Sequence, residues 1–83
     1  MYKLVDEFNG YAASRHKTLK AAVISLDKWR RRFNKINPGA DFMGTIVPDN
    51  SEYVWINGNR QWQPKLSNEE IEEIYLIETE LYG

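Results

Sequence analysis

Apolar residues recur at steps of three and four from Leu19 to Ile36: Leu19, Ala22, Val23, Leu26, Trp29, Phe33 and Ile36. That spacing puts them on one stripe of an α-helix. Thr18 suits the N-cap. Asn37-Pro38-Gly39 ends the helix, because Asn and Gly accept a left-handed turn and proline cannot continue the ladder. A rival reading makes Leu19–Ile24 a strand and starts the helix at Ser25. The unbroken stripe across Ser25 and the helix preference of Lys20-Ala21-Ala22 favour the long helix.

On both sides of this helix the period changes to two. Tyr2–Phe8 alternates, with Tyr2, Leu4, Asp6 and Phe8 on one face and Lys3, Val5 and Glu7 on the other, which predicts a strand. Asn9-Gly10 favours the positive φ angles of a hairpin turn. Tyr11–Arg15 is the returning strand, although Ala12, Ala13 and Ser14 have little β preference. Phe42–Val47 predicts a third strand, and Pro48-Asp49-Asn50-Ser51 a turn. Glu52–Ile56 alternates cleanly, Tyr53 and Trp55 opposing Val54 and Ile56. Asn57-Gly58 signals a second hairpin, with Arg60–Gln63 as its return. Pro64 closes that strand and points to a sheet edge.

A second helix opens at Ser67. Ser67 and Glu70 form an S-x-x-E capping box, with Leu66 and Ile71 placed as a hydrophobic staple. Ile71, Ile74, Tyr75, Leu81 and Tyr82, with Ile77 beside them, supply its expected buried face. Only Gly83 follows, so no tail is expected. The order β-β-α-β-β-β-α predicts an α+β fold. Its antiparallel sheet would have one face covered by two helices and the other partly open to solvent.

The 83 residues form a single domain, 1–83. A chain this short buries only roughly 60% of its unfolded surface. Three Trp, five Tyr and three Phe compensate, since each buried aromatic removes about 150–250 Å² from water. The absence of cysteine excludes disulfides and Cys-based metal sites. No apolar run nears the ~20 residues of a membrane span. MYKLVDEF lacks the apolar segment of a signal peptide, so the expected location is the cytoplasm.

The net charge of −1 hides a partition. Residues 1–65 hold all eleven bases against six acids, a net +5, and residues 66–83 hold six acids and no base, a net −6. Lys17, Lys20, Lys28, Arg31 and Lys35 fall opposite the apolar stripe of the first helix, with Arg32 at the edge. Such a face can track phosphates or meet an acidic protein surface. It can equally be a solvated face that pairs with the acidic helix. Arg30 falls on the apolar side, its stem expected over Trp29. Glu69, Glu70, Glu72 and Glu73 complement the dipole of the second helix. They lack the alternating Asp/Asn and central Gly of a calcium loop. Tyr53, Trp55 and Trp62 are either core or exposed platforms for bases or a protein partner.

Catalysis has little support. His16 lies between Arg15 and Lys17, and the serines have no nucleophile-elbow context. No phosphate loop, dinucleotide fingerprint or zincin helix occurs, so no cofactor, metal or catalytic residue is assigned.

The segment His16-Lys17-Thr18-Leu19-Lys20-Ala21-Ala22 and the Asn57-Gly58 hairpin bearing Trp62 resemble small phage- and mobile-element-encoded α+β proteins, anti-CRISPR-type inhibitors among them. The resemblance is one of style, spans Lys17–Trp62 and transfers no functional residue. It implies a binding protein acting in the host cytoplasm. Three functions follow as expectations. The first is a non-enzymatic protein that occludes a macromolecular partner, most naturally a protein, including one from a nucleic-acid-binding complex. Either charged helix could serve it, the acidic one by imitating a nucleic-acid backbone. The second is direct nucleic-acid binding through the basic helix and aromatic hairpin. The third is a structural assembly component. Oligomeric state is left open by the sequence.

Overall fold

The computed structural model describes all residues, Met1–Gly83. Its elements run β1 (Tyr2–Asp6), β2 (Ala12–His16), α1 (Leu19–Ile36), β3 (Gly44–Pro48), β4 (Glu52–Ile56), β5 (Asn59–Gln63) and α2 (Asn68–Tyr82). The fold is α+β in the expected order, but the strands divide into two antiparallel sheets, β2-β1-β3 and β4-β5.

The division follows from side chains on both faces of the central sheet. Leu4 and Val5 are adjacent and both buried, as are Ile46 and Val47. Strands apolar on both faces need cover on both. Ile46 joins Leu19, Ala22 and Val23 of α1, with Leu26, Leu66, Ile74 and Ile77 around them. Val5 and Val47 pack instead against Trp62 and Tyr53 of the β4-β5 hairpin. The tight turn after β3, closed by Ser51 N–H to the Pro48 carbonyl at 3.0 Å, folds the hairpin onto the face the sequence left open. The molecule is thus three layers: helices, sheet, hairpin.

Local chemistry sets the boundaries. β1 stops at Asp6 because its carboxylate accepts from the N–H groups of Phe8 at 2.7 Å and Asn9 at 2.9 Å, turning the chain. Phe8, expected as the last residue of the first strand, falls in the turn beyond β1 and is 76% exposed. Gly10 follows at φ +73, and a Cβ there would fall 2.3 Å from the Tyr53 ring. β2 forms despite poor β preference because β1 supplies its partner. A bulge at Ala13 shifts the register between Val5↔Ala12 and Leu4↔Ser14. The Asn57-Gly58 turn has φ +52 and +83, the two positive angles of a type I′ hairpin.

Thr18 caps α1, its hydroxyl accepting from Ala21 N–H at 3.1 Å. Only the first half of α1 lies on the sheet. Leu19, Ala22 and Val23 are buried, Trp29 and Phe33 are half-buried, and Ile36 is exposed. Arg32 rather than Arg30 stacks on Trp29, at 5.9 Å. The Ser67–Glu70 capping box is complete. The expected buried face of α2 is corrected, however. Ile74 and Ile77 turn inward and are half-buried, while Ile71, Tyr75, Leu81 and Tyr82 stay exposed, because α2 covers the rim of the core rather than its centre.

The turn at Asp6 and the cap at Glu70 make stability acid-sensitive. Burial alone would raise the Asp6 pKa, but hydrogen bonds from the Asn9 and Phe8 N–H groups outweigh it and hold the carboxyl below its ordinary value. The Ser67 N–H does the same for Glu70, against partial burial and with help from the Ser67 hydroxyl, Tyr2 and the N-terminal amine. Both pKa values are depressed on folding, so their stabilisation is complete above the unfolded value near pH 4. It is lost as pH falls through the lower folded values. The urea midpoint is expected to drop between pH 6 and pH 3, and less steeply in Asp6→Asn.

Candidate functional site

The basic face forms as the periodicity requires. Lys17, Lys20, Lys28, Arg31, Arg32 and Lys35 are all exposed. Successive 100° steps place Lys20, Lys28, Arg31, Arg32 and Lys35 on one arc of α1, whereas Lys17 precedes the Thr18 cap and lies outside the helix. Lys20 reaches Glu80 of α2 at 3.9 Å, and Arg31 binds Asp27 one turn back at 2.9 Å. Lys17, Lys28, Arg32 and Lys35 have no carboxylate within ion-pair distance. The two charged helices therefore neutralise each other at one point only. Glu69, Glu72 and Glu73 also stand exposed without an ion pair. Glu70 is committed to the helix cap.

The three hairpin aromatics separate. Trp62 is buried, its indole N–H donating to the Asp6 carbonyl at 3.1 Å. Tyr53 packs on Trp62 at 5.4 Å between ring centroids, and its hydroxyl donates to the Glu7 and Phe8 carbonyls. Both hold the hairpin to the sheet. Trp55 lies on the same face of the hairpin but beyond the sheet, 68% exposed. The Arg60 guanidinium bridges Tyr53 and Trp55, 5.4 and 5.6 Å from their ring centres.

Chain direction gathers further groups at this end. Tyr53 anchors the hairpin on the β1-β2 turn, which carries exposed Phe8 and Tyr11. The Glu7 N–H bonds the Met43 carbonyl, bringing in the segment that follows α1. Met43 is exposed there as well. One end of the molecule thus presents Phe8, Tyr11, Trp55, Met43 and Arg60. Phe8, Tyr11 and Met43, expected within strands Tyr2–Phe8, Tyr11–Arg15 and Phe42–Val47, lie just outside β1, β2 and β3 in the connecting segments.

The serines and histidine form one polar contact. Ser14 Oγ lies 2.8 Å from His16 Nε2 and 3.4 Å from Ser25 Oγ. The chain of contacts ends on Ser25 rather than on a carboxylate, between β2 and α1. No three His, Asp or Glu side chains converge on a metal-sized site. No helix is long and apolar enough to cross a membrane. No protein-family model, curated protein or solved structure matches the chain.

Proposed function

We propose that this protein is a non-enzymatic binding module that occludes a macromolecular partner, in the manner of the inhibitors and regulators encoded by phages and mobile elements. The observation that carries the reading is the exposed aromatic end: Trp55 stacked on Arg60, beside Phe8 and Tyr11. Trp, Tyr and Arg are the residues that dominate interface energetics. Here Phe8, Tyr11 and Trp55 remain largely exposed, Trp55 with the Arg60 guanidinium over its ring. Met43 extends the surface with an aliphatic group that stacks no base, which favours a protein. The unpaired cations of α1 would steer an acidic surface of that protein toward the molecule.

One observation favours a second reading. Lys28, Arg32 and Lys35 form a basic arc without internal partners, as a nucleic-acid groove requires. The net −6 of residues 66–83 opposes it by repelling a polyanion.

The two separate experimentally. Occlusion of a protein predicts little binding to labelled single- or double-stranded DNA and RNA at low salt. It also predicts a complex with a protein of the host cell that Trp55→Ala with Arg60→Ala weakens at least about tenfold, with the folding midpoint unchanged. Nucleic-acid affinity that falls steeply with salt, and is lost in Arg32→Glu with Lys35→Glu, would establish the second reading instead.

A further inference from the structure

A slot of about 500 Å³ opens between β3, β5 and the start of α2. Two unpaired strand edges face each other across it. Hydrogen bonds from Glu7 N–H to the Met43 carbonyl and from Asp49 N–H to the Met1 carbonyl fix the phase of the β1-β3 ladder. In that phase Thr45 and Val47 bond β1, while the N–H and C=O groups of Gly44 and Ile46 point away from it. The type I′ turn fixes the other edge in the same way, so Arg60 and Trp62 of β5 direct their main-chain groups away from β4. Gly44, Ile46, Arg60 and Trp62 all line the slot.

Strand direction makes the vacancy more specific. β1 is antiparallel to β3, the turn after β3 reverses the chain into β4, and β4 is antiparallel to β5. β3 and β5 therefore run the same way. A single strand running opposite to both would meet each as an antiparallel neighbour. The rest of the lining defines its side chains. Leu66, Ile71 and Ile74 form an apolar wall on the helix side, and the rim carries Arg60 and Lys65 against one acid, Glu7. Neither Arg60 nor Lys65 has an ion-pair partner in the chain.

We propose that this slot captures an extended acidic segment of a partner protein, which adds to the edge of β3 as an antiparallel strand. Its apolar residues meet Leu66, Ile71 and Ile74, and its carboxylates meet Arg60 and Lys65. Main-chain pairing supplies affinity in such additions, and alternate side chains supply specificity. The four edge residues Gly44–Val47 span about 13 Å, room for four residues of the incoming strand. The slot shares Arg60 with the Trp55 end, but its strand edges and apolar wall lie outside that end, and it stands whether that end meets protein or nucleic acid.

The test uses the full 15N-labelled chain and no destabilising substitution. A library of eight-residue peptides alternates apolar residues with Asp or Glu. Matched controls replace the acids with Lys, or the central residue with Pro. The library is expected to contain binders that slow exchange of the Gly44 and Ile46 amides at least about tenfold at saturation. Thr45 and Val47, already bonded to β1, should change little. Lys and Pro controls, and Lys65→Glu in the protein, should each weaken binding about tenfold or more. Absence of any binder at millimolar concentration would overturn the proposal, as would binding that leaves the two amides unprotected. Protection of those amides by the protein itself, with a concentration-dependent rise in mass, would overturn the partner assignment and make the occupant a second copy.

Discussion

Trp62→Ala is expected to cost about 3–5 kcal/mol of folding stability, the largest loss of any single truncation in this chain. The residue is one of only eight buried hydrophobics. It lies between Val5 and Val47 of the sheet, stacks on Tyr53, holds the Lys3 ammonium over its ring at 4.9 Å and donates to the Asp6 carbonyl. Removing the indole deletes the contact that joins the hairpin layer to the sheet layer and leaves the Asp6 carbonyl without that donor. Domains of this length are stable by roughly 4–12 kcal/mol in total, so the variant should be partly unfolded at room temperature. Trp62→Phe keeps most of the packing and loses the indole hydrogen bond, for about 1–2 kcal/mol. Urea unfolding at constant m-value measures both. A loss under about 1 kcal/mol for Trp62→Ala would mean that the hairpin docks by other contacts. Limited proteolysis at the Asn57-Gly58 turn gives an independent reading, since a detached hairpin is cut faster.

The same residue shows where sequence reasoning succeeds and where it stops. Local signals located the elements well. The stripe from Leu19 to Ile36, the Thr18 cap, the Ser67–Glu70 box and the Asn57-Gly58 turn each report geometry fixed within a few residues. They also gave the alternation of Glu52–Ile56, but not which face is core. That choice depends on what lies opposite, and the residues opposite Trp62 are Val5 and Val47, 57 and 15 positions away in sequence. The split into two sheets was hidden for the same reason. Leu4-Val5 and Ile46-Val47 already carry apolar groups on both strand faces, a pattern of strands covered on both faces. Each run is too short for the pattern to separate a two-sided strand from ordinary alternation.

Charge was legible as composition and incompletely as geometry. Helical periodicity placed the basic arc of α1 on the solvent side, where the structure has it. It did not reveal that only Lys20 would meet the acidic helix, through Glu80. The packing of α1 on α2 sets that outcome, and neither helix encodes it alone. The slot between β3 and β5 was out of reach for a further reason. A vacant edge is a property of sheet order, and no residue in Gly44–Val47 announces that its outer side is unpaired.

Lys3→Glu is expected to cost about 3–5 kcal/mol, although lysine near a chain start is ordinarily the safest residue to change. Lys3 is 8% exposed, on the sheet face that meets the hairpin. Its ammonium donates to the Ser51 carbonyl and lies over the Trp62 ring, with no carboxylate in ion-pair range. A buried cation is tolerable there because a carbonyl oxygen and the negative face of an indole both turn toward it. A carboxylate in the same place would meet both with like polarity. Lys3→Ala loses the packing of the stem and leaves the Ser51 carbonyl unpaired, for about 2–4 kcal/mol. Lys3→Met retains the stem, and relief of the charge's desolvation offsets part of the lost hydrogen bond, so its cost should be the smallest. The expected order of urea midpoints is wild type, Met, Ala, Glu. A Met variant as unstable as the Glu variant would show that the ammonium's two contacts outweigh its desolvation. Lys3→Ala and Trp62→Ala should also be less damaging together than the sum of their separate losses, by about 0.5–3 kcal/mol. Each removes the other's partner, and the double-mutant cycle reads that shared contact directly.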